Sequence, residues 1–382
     1  MSEWKKVKLG EICERVTSGG TPKANVSSYY NPPTIPWLKT KEVNYCRITE
    51  TENYISEEGL KNSSAKLISP NSVIIAMYGQ GDTAGRIAIN KIPLATNQAC
   101  CNLTIDKSKA DYEFIYYQLC TLYDKLVSLK AGAAQPNLNA RIIKNLEIIM
   151  PSLPIQHRIA SILSRYDSLI ENYQKQIKLL EEAAQRLFKE WFIDLRFPGH
   201  ENTNIIDGVP EGWEKKKVGD ITPIITGKKD ANFGTPDGEY PFFTCSQEPI
   251  KAPSFSFDCA AVLLAGNGDF NVKLYRGRFE AYQRTYVLSP YIDSHLYLLF
   301  YTISANMTKL AAGSSGSTIK FLTKGMIDGI NLNVPNDEIL RSFNKKVEPI
   351  QSSRESLQSQ LRLLTEARDR LLPKLMNGEI KV

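Results

Sequence analysis

Trp4-Lys5-Lys6-Val7-Lys8-Leu9-Gly10-Glu11-Ile12 recurs far downstream as Trp213-Glu214-Lys215-Lys216-Lys217-Val218-Gly219-Asp220-Ile221. Both copies run on into a small-residue turn, Thr17-Ser18-Gly19-Gly20 and Thr226-Gly227. Working outward, Pro36-Trp37-Leu38 answers to Pro241-Phe242-Phe243. Ile75-Ala76-Met77-Tyr78-Gly79-Gln80-Gly81-Asp82 answers to Leu263-Leu264-Ala265-Gly266-Asn267-Gly268-Asp269. Gln98 pairs with Gln283, Ala131-Gly132 with Ala312-Gly313, and Pro151 and Pro335 close the two copies. The matches keep their order while their offset drifts only at loops, which is the signature of a duplication. The period is too long for a solenoid, so the sequence predicts two similar heads.

A long helical pattern follows each closing proline. Ile159, Ile162, Tyr166, Leu169, Tyr173, Ile177, Leu180, Ala184, Leu187 and Trp191 recur at spacings of three and four. Leu340, Phe343, Val347, Ile350, Leu357, Leu361, Leu364, Leu371 and Leu375 do the same, with Arg354 and Arg368 in two seam positions. Sustained over about five heptads, this predicts coiled-coil packing rather than a surface helix. Forty helical residues make a rod of about 60 Å. Pro349 is expected to kink or delay the second helix, Pro373 to do likewise near its end, and Asn377-Gly378 to stop it. Arg196 to Asn204, polar with Pro198 and Gly199, reads as a linker. In the heads, Ser72–Ala76 and Ala260–Leu264 read as strands, and Tyr112–Leu119 and His295–Phe300 as helices packed on them.

Bulk properties narrow the chemistry. With 382 residues, two or three compact units are expected. No apolar run approaches the roughly 18 residues of a membrane span, and the N-terminus lacks a signal-peptide stretch, so a cytoplasmic location is expected. Seven cysteines without a C-x-x-C spacing, Cys100 and Cys101 adjacent, argue against a disulfide framework or zinc site. The three histidines (His157, His200, His295) stand apart, which argues against a metallohydrolase. A net charge of +6 is compatible with a polyanionic partner without requiring one.

The order head, long helix, head, long helix resembles the DNA-specificity subunit of type I restriction–modification systems over essentially the whole chain. The carriers are Trp4…Leu9-Gly10-Glu11-Ile12, Pro210-Glu211-Gly212-Trp213, Pro36-Trp37-Leu38-Lys39-Thr40-Lys41, Ala95-Thr96-Asn97-Gln98-Ala99, Pro154-Ile155-Gln156-His157-Arg158-Ile159 and Leu371–Ile380. The fold class that the resemblance implies is α+β: two homologous α/β target-recognition domains separated by two long antiparallel coiled-coil helices, in a pseudo-two-fold arrangement. The expected boundaries are 1–152 for the first domain, 153–195 for the first helix, 196–211 for a linker, 212–335 for the second domain and 336–382 for the second helix. Each head is then expected to read one half of an asymmetric, bipartite site in double-stranded DNA. The resemblance further implies that the helices act as a ruler and dock two methyltransferase subunits, and that motor-nuclease subunits complete the complex. On the same resemblance, S-adenosylmethionine, ATP and magnesium are expected to belong to those partners, and the chain itself is expected not to be an enzyme. Other readings are a specificity subunit serving a modification-only or phage-defence methyltransferase, a methyltransferase or nuclease in its own right, and a coiled-coil protein-interaction module.

Phosphate contacts fix register and base-edge contacts specify, so loop cations and amides are the candidates. Head one offers Lys39, Lys41, Gln80, Arg86, Asn97, Gln98, Gln135 and Asn137. Head two offers Lys228, Lys229, Asn267, Arg276, Arg278, Gln283, Arg284 and Lys320. The alternative for each is a solvated or turn-stabilising side chain. The Gly79-x-Gly81-Asp82 and Gly266-x-Gly268-Asp269 turns could cradle phosphate or simply end a strand. The stretches 132–137 and 313–318 read as matching polar loops. Asn31-Pro32-Pro33-Thr34 falls one residue short of an adenine-methyltransferase motif, since Thr34 cannot stack on a flipped base. Pro236-Asp237-Gly238-Glu239 reads as a turn, and there is no phosphate-binding loop of the ATPase type.

Overall fold

The structure, a computed structural model, describes residues 4–129, 137–314 and 320–382. The chain divides into two units, one comprising Met1–Asn172 with Gln360–Val382 and the other Tyr173–Ser359. Each unit holds one head together with the beginning of one long helix and the end of the other.

The repeated opening motif closes each head in the same way. Strand Lys5–Lys8 pairs antiparallel with Glu147–Met150, and Glu214–Lys217 with Asn331–Val334. The motif then turns: Leu9 N donates to Leu146 O at 2.9 Å and Val218 N to Ile330 O at 2.9 Å. The acid of each motif accepts from the backbone three residues earlier, Glu11 from Lys8 and Asp220 from Lys217. Leu9, Ile12, Val218 and Ile221 enter the cores. The spacing is therefore that of one tight turn with two apolar pegs.

Head one stacks a five-stranded sheet (order Cys13–Ser18, Cys100–Ile105, Val73–Ala76, Ile87–Asn90, Cys46–Ile48) and a four-stranded one built around the parallel pair Ile35–Leu38 and Leu94–Thr96. Val73-Ile74-Ile75-Ala76 is covered on both faces, so its period of two shows only in its destinations. Val73 and Ile75 join the core beneath helix Tyr112–Cys120, while Ile74 and Ala76 join a second cluster with Leu38 and Val43. Asp111 caps that helix by accepting from Phe114 N at 2.9 Å. Head two has a six-stranded sheet whose centre is the antiparallel pair Phe257–Ala265 and Val272–Ala281, covered by helix Leu296–Gly313.

The long helices span Leu153–Phe188 and Asp337–Met376. Buried Gln156 fastens the start of the first, donating to Pro151 O at 2.9 Å and accepting from Asp111 N at 3.0 Å. In unit one, Ile159 and Leu163 share a core with Leu375, and Asp167 meets Arg368. In unit two, Glu181 meets Arg354 and Trp191 packs on Phe343. Ascending numbers on one helix meet descending numbers on the other, so in each unit the helix segments run antiparallel.

Two expectations for these helices are corrected. Helix Asp337–Met376 runs unbroken through Pro349 and Pro373. Pro349 projects from the exposed face while Val347 and Gln351 beside it are buried, so packing holds the turn despite the missing donor. The stop at Asn377-Gly378 is as expected, with Gly378 N bonded to Leu375 O. The seam of the first helix also differs: Leu169 is 43% exposed, while Leu163, Asp167 and Ile170 are inside. An ion network pulls Asp167 into the seam position that the apolar pattern assigned to its neighbours.

The segment 196–211 carries an anchor, because Phe197 is buried and its ring lies 4.7 Å from that of Trp213. Burial pushes the thiols of Cys13, Cys101 and Cys120 up to about 12, which keeps them protonated and inert. Among the described residues there is no cluster suited to a metal ion and no helix long and apolar enough to cross a membrane.

Candidate nucleic-acid interface

The strand ends of head one gather most of the loop candidates on one rim. Strands Ile35–Leu38 and Leu94–Thr96 run parallel and finish side by side, with Leu38 opposite Thr96. Lys39 and Asn97-Gln98 therefore leave the sheet together. Main-chain bonds tie in the other segments: Gly19 N to Cys100 O, Gly20 N to Thr96 O, Asn97 N to Leu38 O, Met77 N to Ala99 O and Leu138 N to Met77 O, all between 2.7 and 3.3 Å. The Gly19-Gly20 turn, the Tyr78-Gly79-Gln80 turn and Asn137 thus join the same edge.

Head two builds the same frame. Gly227 N donates to Thr285 O, Tyr282 N to Phe243 O, Gly266 N to Arg284 O and Leu322 N to Gly266 O, between 2.8 and 3.1 Å. Bond for bond, Gly227 stands for Gly19, Tyr282 for Asn97, Gln283 for Gln98, Arg284 for Ala99, Gly266 for Met77 and Leu322 for Leu138. The glycine is required in both. A Cβ on Gly19 would lie 2.1 Å from Thr96 O, and one on Gly227 would lie 1.9 Å from Ala281 O. A left-handed glycine follows in each head, Gly81 at φ +61 four residues beyond Met77 and Gly268 at φ +67 two residues beyond Gly266, so the second turn is two residues shorter.

Side chains on this shared frame differ. In head one, Lys39 Nζ donates to Asn53 Oδ1 at 2.9 Å and lies 5.1 Å from the Trp37 ring. Gln98 is exposed and accepts from the Thr21 hydroxyl. Gln80 and Asn137 are exposed. Lys41 is paired with Glu52, whose hydrogen bond raises the lysine's proton affinity. Arg86 is paired with Asp82 at 2.6 Å. Gln135 lies outside the described residues, as do 132–136 and 315–318 of the two polar loops.

In head two, Lys228, Gln283, Arg284 and Lys320 are exposed, and none of Lys228, Arg284 and Lys320 forms an ion pair among the described residues. Lys229 Nζ lies 4.4 Å from the Phe233 ring, and Asn267 bridges to Phe321. Arg276 and Arg278 stand elsewhere. They face Ala260 and Asp258 in mid-hairpin, five and seven residues back along the strand from Ala265. Arg278 is paired with Asp258 at 3.2 Å. Arg276 is paired with Glu348 of the long helix at 3.4 Å and stacked 5.1 Å from Tyr297.

The sequence reading missed several rim residues. Thr244, Cys245 and Ser246 follow the strand that pairs with Ala281, and Thr285 Oγ1 donates to Phe243 O at 3.1 Å beside them. Lys273 Nζ donates to Ser246 O at 2.7 Å, and burial holds its ammonium below the usual lysine range. Tyr45 and Tyr123 meet edge-on at 6.3 Å beside Arg86, and burial pushes the Tyr45 phenol up to about 12. Only the position of Thr244, following the Pro-Phe-Phe match, was available as a sequence signal.

A family model described as "Type I restriction modification DNA specificity domain" matches residues 1–182 and 210–353. The chain belongs to this family. Its two matched stretches each contain one copy of the frame, and the copies share four main-chain bonds. Among curated relatives, the type I restriction enzyme MjaIX specificity subunit of Methanocaldococcus jannaschii is 28% identical over 100% of this chain and 94% of the relative. The EcoDI specificity subunit of Escherichia coli is 36% identical over 45% of this chain and 39% of the relative. The crystal structure of the type I system S subunit from M. genitalium has a TM-score of 0.69 at 17% identity, covering 97% of this chain and 96% of that one. Family and fold agree, and DNA specificity is the property the family carries.

Proposed function

We propose that the chain is the sequence-reading subunit of a type I restriction–modification complex, each rim reading one half of an asymmetric bipartite DNA site. The observation that carries this is the frame made twice from main-chain bonds and decorated with different side chains. Like frames dock alike on a duplex, and unlike side chains read unlike sequences. Gln98 and Gln283 occupy the same place in both heads, so their role is common, a shared phosphate or adenine contact. Lys39 against Thr244, and Asn97 against Tyr282, are the positions at which the half-sites are told apart. The long helices set the gap and dock two methyltransferase subunits, with motor-nuclease subunits completing the complex. S-adenosylmethionine, ATP and magnesium are held by those partners, and this chain supplies recognition without catalysis.

The test is single-molecule sequencing of DNA methylated by the chain co-expressed with its methyltransferase subunit. A two-part motif with a fixed gap, altered in one half when one head is exchanged, is the expected outcome. A continuous palindrome, or no methylation, would overturn the reading. Salt dependence provides a second check. Lys228→Ala and Lys320→Ala are each expected to lower the slope of log K against log salt by about 0.9, the value for one phosphate contact. Arg276→Ala, which removes an ion pair inside unit two, should leave that slope unchanged.

A further inference from the structure

In each unit one tyrosine of the head's covering helix bonds to one side chain of a long helix, and the two pairs are copies. Tyr117 OH donates to Asp167 Oδ2 at 2.5 Å, and Gln351 Nε2 donates to Tyr301 OH; both pairs are 50 residues apart in sequence. Asp167 follows Pro151, and Gln351 follows Pro335, by the same sixteen residues. The two joints differ in chemistry. Asp167, its side chain 7% exposed, also accepts from Arg47 of the head and Arg368 of the other long helix, each at 2.9 Å. In unit two the long-helix partner is a neutral amide that donates to the tyrosine hydroxyl, and at the repeat offset Arg368 answers to buried Ala184.

We propose that Asp167 and Gln351 are positioning residues that fix the tilt of each head on the helix ends carrying it, and so hold the unread gap between half-sites to one length. This rests on the bipartite reading above. Apolar packing is non-directional and tolerates a head rocking on its helix. A carboxylate gripped by donors from the head and from the other helix accepts one orientation only, because charge-assisted bonds are both strong and directional. Buried polar pairs serve best as devices of register. The first joint does this with charge and the second with a neutral bond.

Methylation by the intact complex provides the test. The double variant Asp167→Gln with Arg368→Ala copies the neutral joint into unit one, where Arg47 keeps Glu113 and Glu171 as partners. Asp167→Asn and Gln351→Leu loosen one joint each. Asp167→Asn and Gln351→Leu are expected to leave both half-site sequences unchanged, while methylation at sites with a gap one base pair longer or shorter rises on the order of tenfold, the effect of about 1.4 kcal/mol. The double variant, which keeps a joint of the second kind, is expected to hold the gap as the parent does. If Asp167→Asn and Gln351→Leu methylate more slowly but keep the gap fixed, the role is merely structural and the proposal is overturned, as it is if the double variant loses the gap. If the parent motif itself lacks a gap, the bipartite reading fails instead, which is a distinguishable result.

Discussion

Replacing Asp167 with alanine is expected to cost unit one about 3–5 kcal/mol, the range for removing one partner of a buried charge network. The carboxylate accepts from Tyr117, Arg47 and Arg368, which come from a head helix, a head strand and the other long helix. Burial alone would lower the proton affinity of Arg47, yet Tyr117 and Asp167 hold it above the ordinary arginine value; a guanidinium is not deprotonated in proteins, so it stays charged when Asp167 is replaced. Without Asp167 it retains Glu113 at 3.7 Å and half-exposed Glu171 at 3.3 Å, and Arg368 retains Asp369. The Tyr117 hydroxyl would be left with Arg47 as its remaining partner. Denaturant unfolding together with peptide-resolved hydrogen exchange would measure this, with protection lost first in Tyr112–Cys120. Asp167→Asn, which keeps acceptor and shape, is expected to lose less. A loss below about 1 kcal/mol for the alanine variant, the worth of one ordinary hydrogen bond, would mean that the site is solvated after all.

Gly227→Ala is expected to reduce methylation of the bipartite site about a hundredfold, the scale of a 1 Å misplacement of binding groups. The added carbon meets backbone, Ala281 O at 1.9 Å and Tyr282 O at 2.7 Å, rather than a side chain that could swing away. The turn holding Lys228 and Lys229 must move, and with it Gln283, whose N–H is bonded to Lys229 O at 2.9 Å. Overpacking also costs about 1–3 kcal/mol of stability. Gly19→Ala should do the same to head one. Gly325→Ala is the control, because a Cβ there has nothing within 4 Å. Methylation rate and melting temperature measured together decide the matter, and an unchanged rate for Gly227→Ala would show that the turn is no part of the reading surface.

What the sequence made legible was what repeats or has a period. The duplicated turn motif, the helices at Tyr112–Cys120 and Leu296–Gly313, and strands such as Val73–Ala76 follow from apolar spacing and turn residues. The seam of the first long helix was misread where charge overrides period, since no pattern of apolar residues announces that Asp167 goes inside and Leu169 out. Pro349 was expected to disturb its helix because a rule about one residue ignores the buried neighbours that hold the turn. Among the recognition candidates, Arg276 looks like a free cation in sequence, but a residue 72 positions away, Glu348, claims it. Thr244 and Tyr282 went unremarked for the opposite reason: neutral side chains become candidates only once two strand ends are seen to finish together.

The frame of each rim is made of peptide groups, and this bears on how such a chain changes over generations. Asn97 and Tyr282 hold their places through N–H and C=O groups that every amino acid except proline provides in full. Exchanging their side chains leaves those bonds intact, so under the proposed function new preferences for bases arise one substitution at a time without passing through an unfolded ancestor. The immovable positions are few and lie underneath, at Gly19 and Gly227, where even a methyl group does not fit. A scaffold of this kind separates what must be inherited from what is free to drift, and under the proposed function the drifting part is the part that reads DNA.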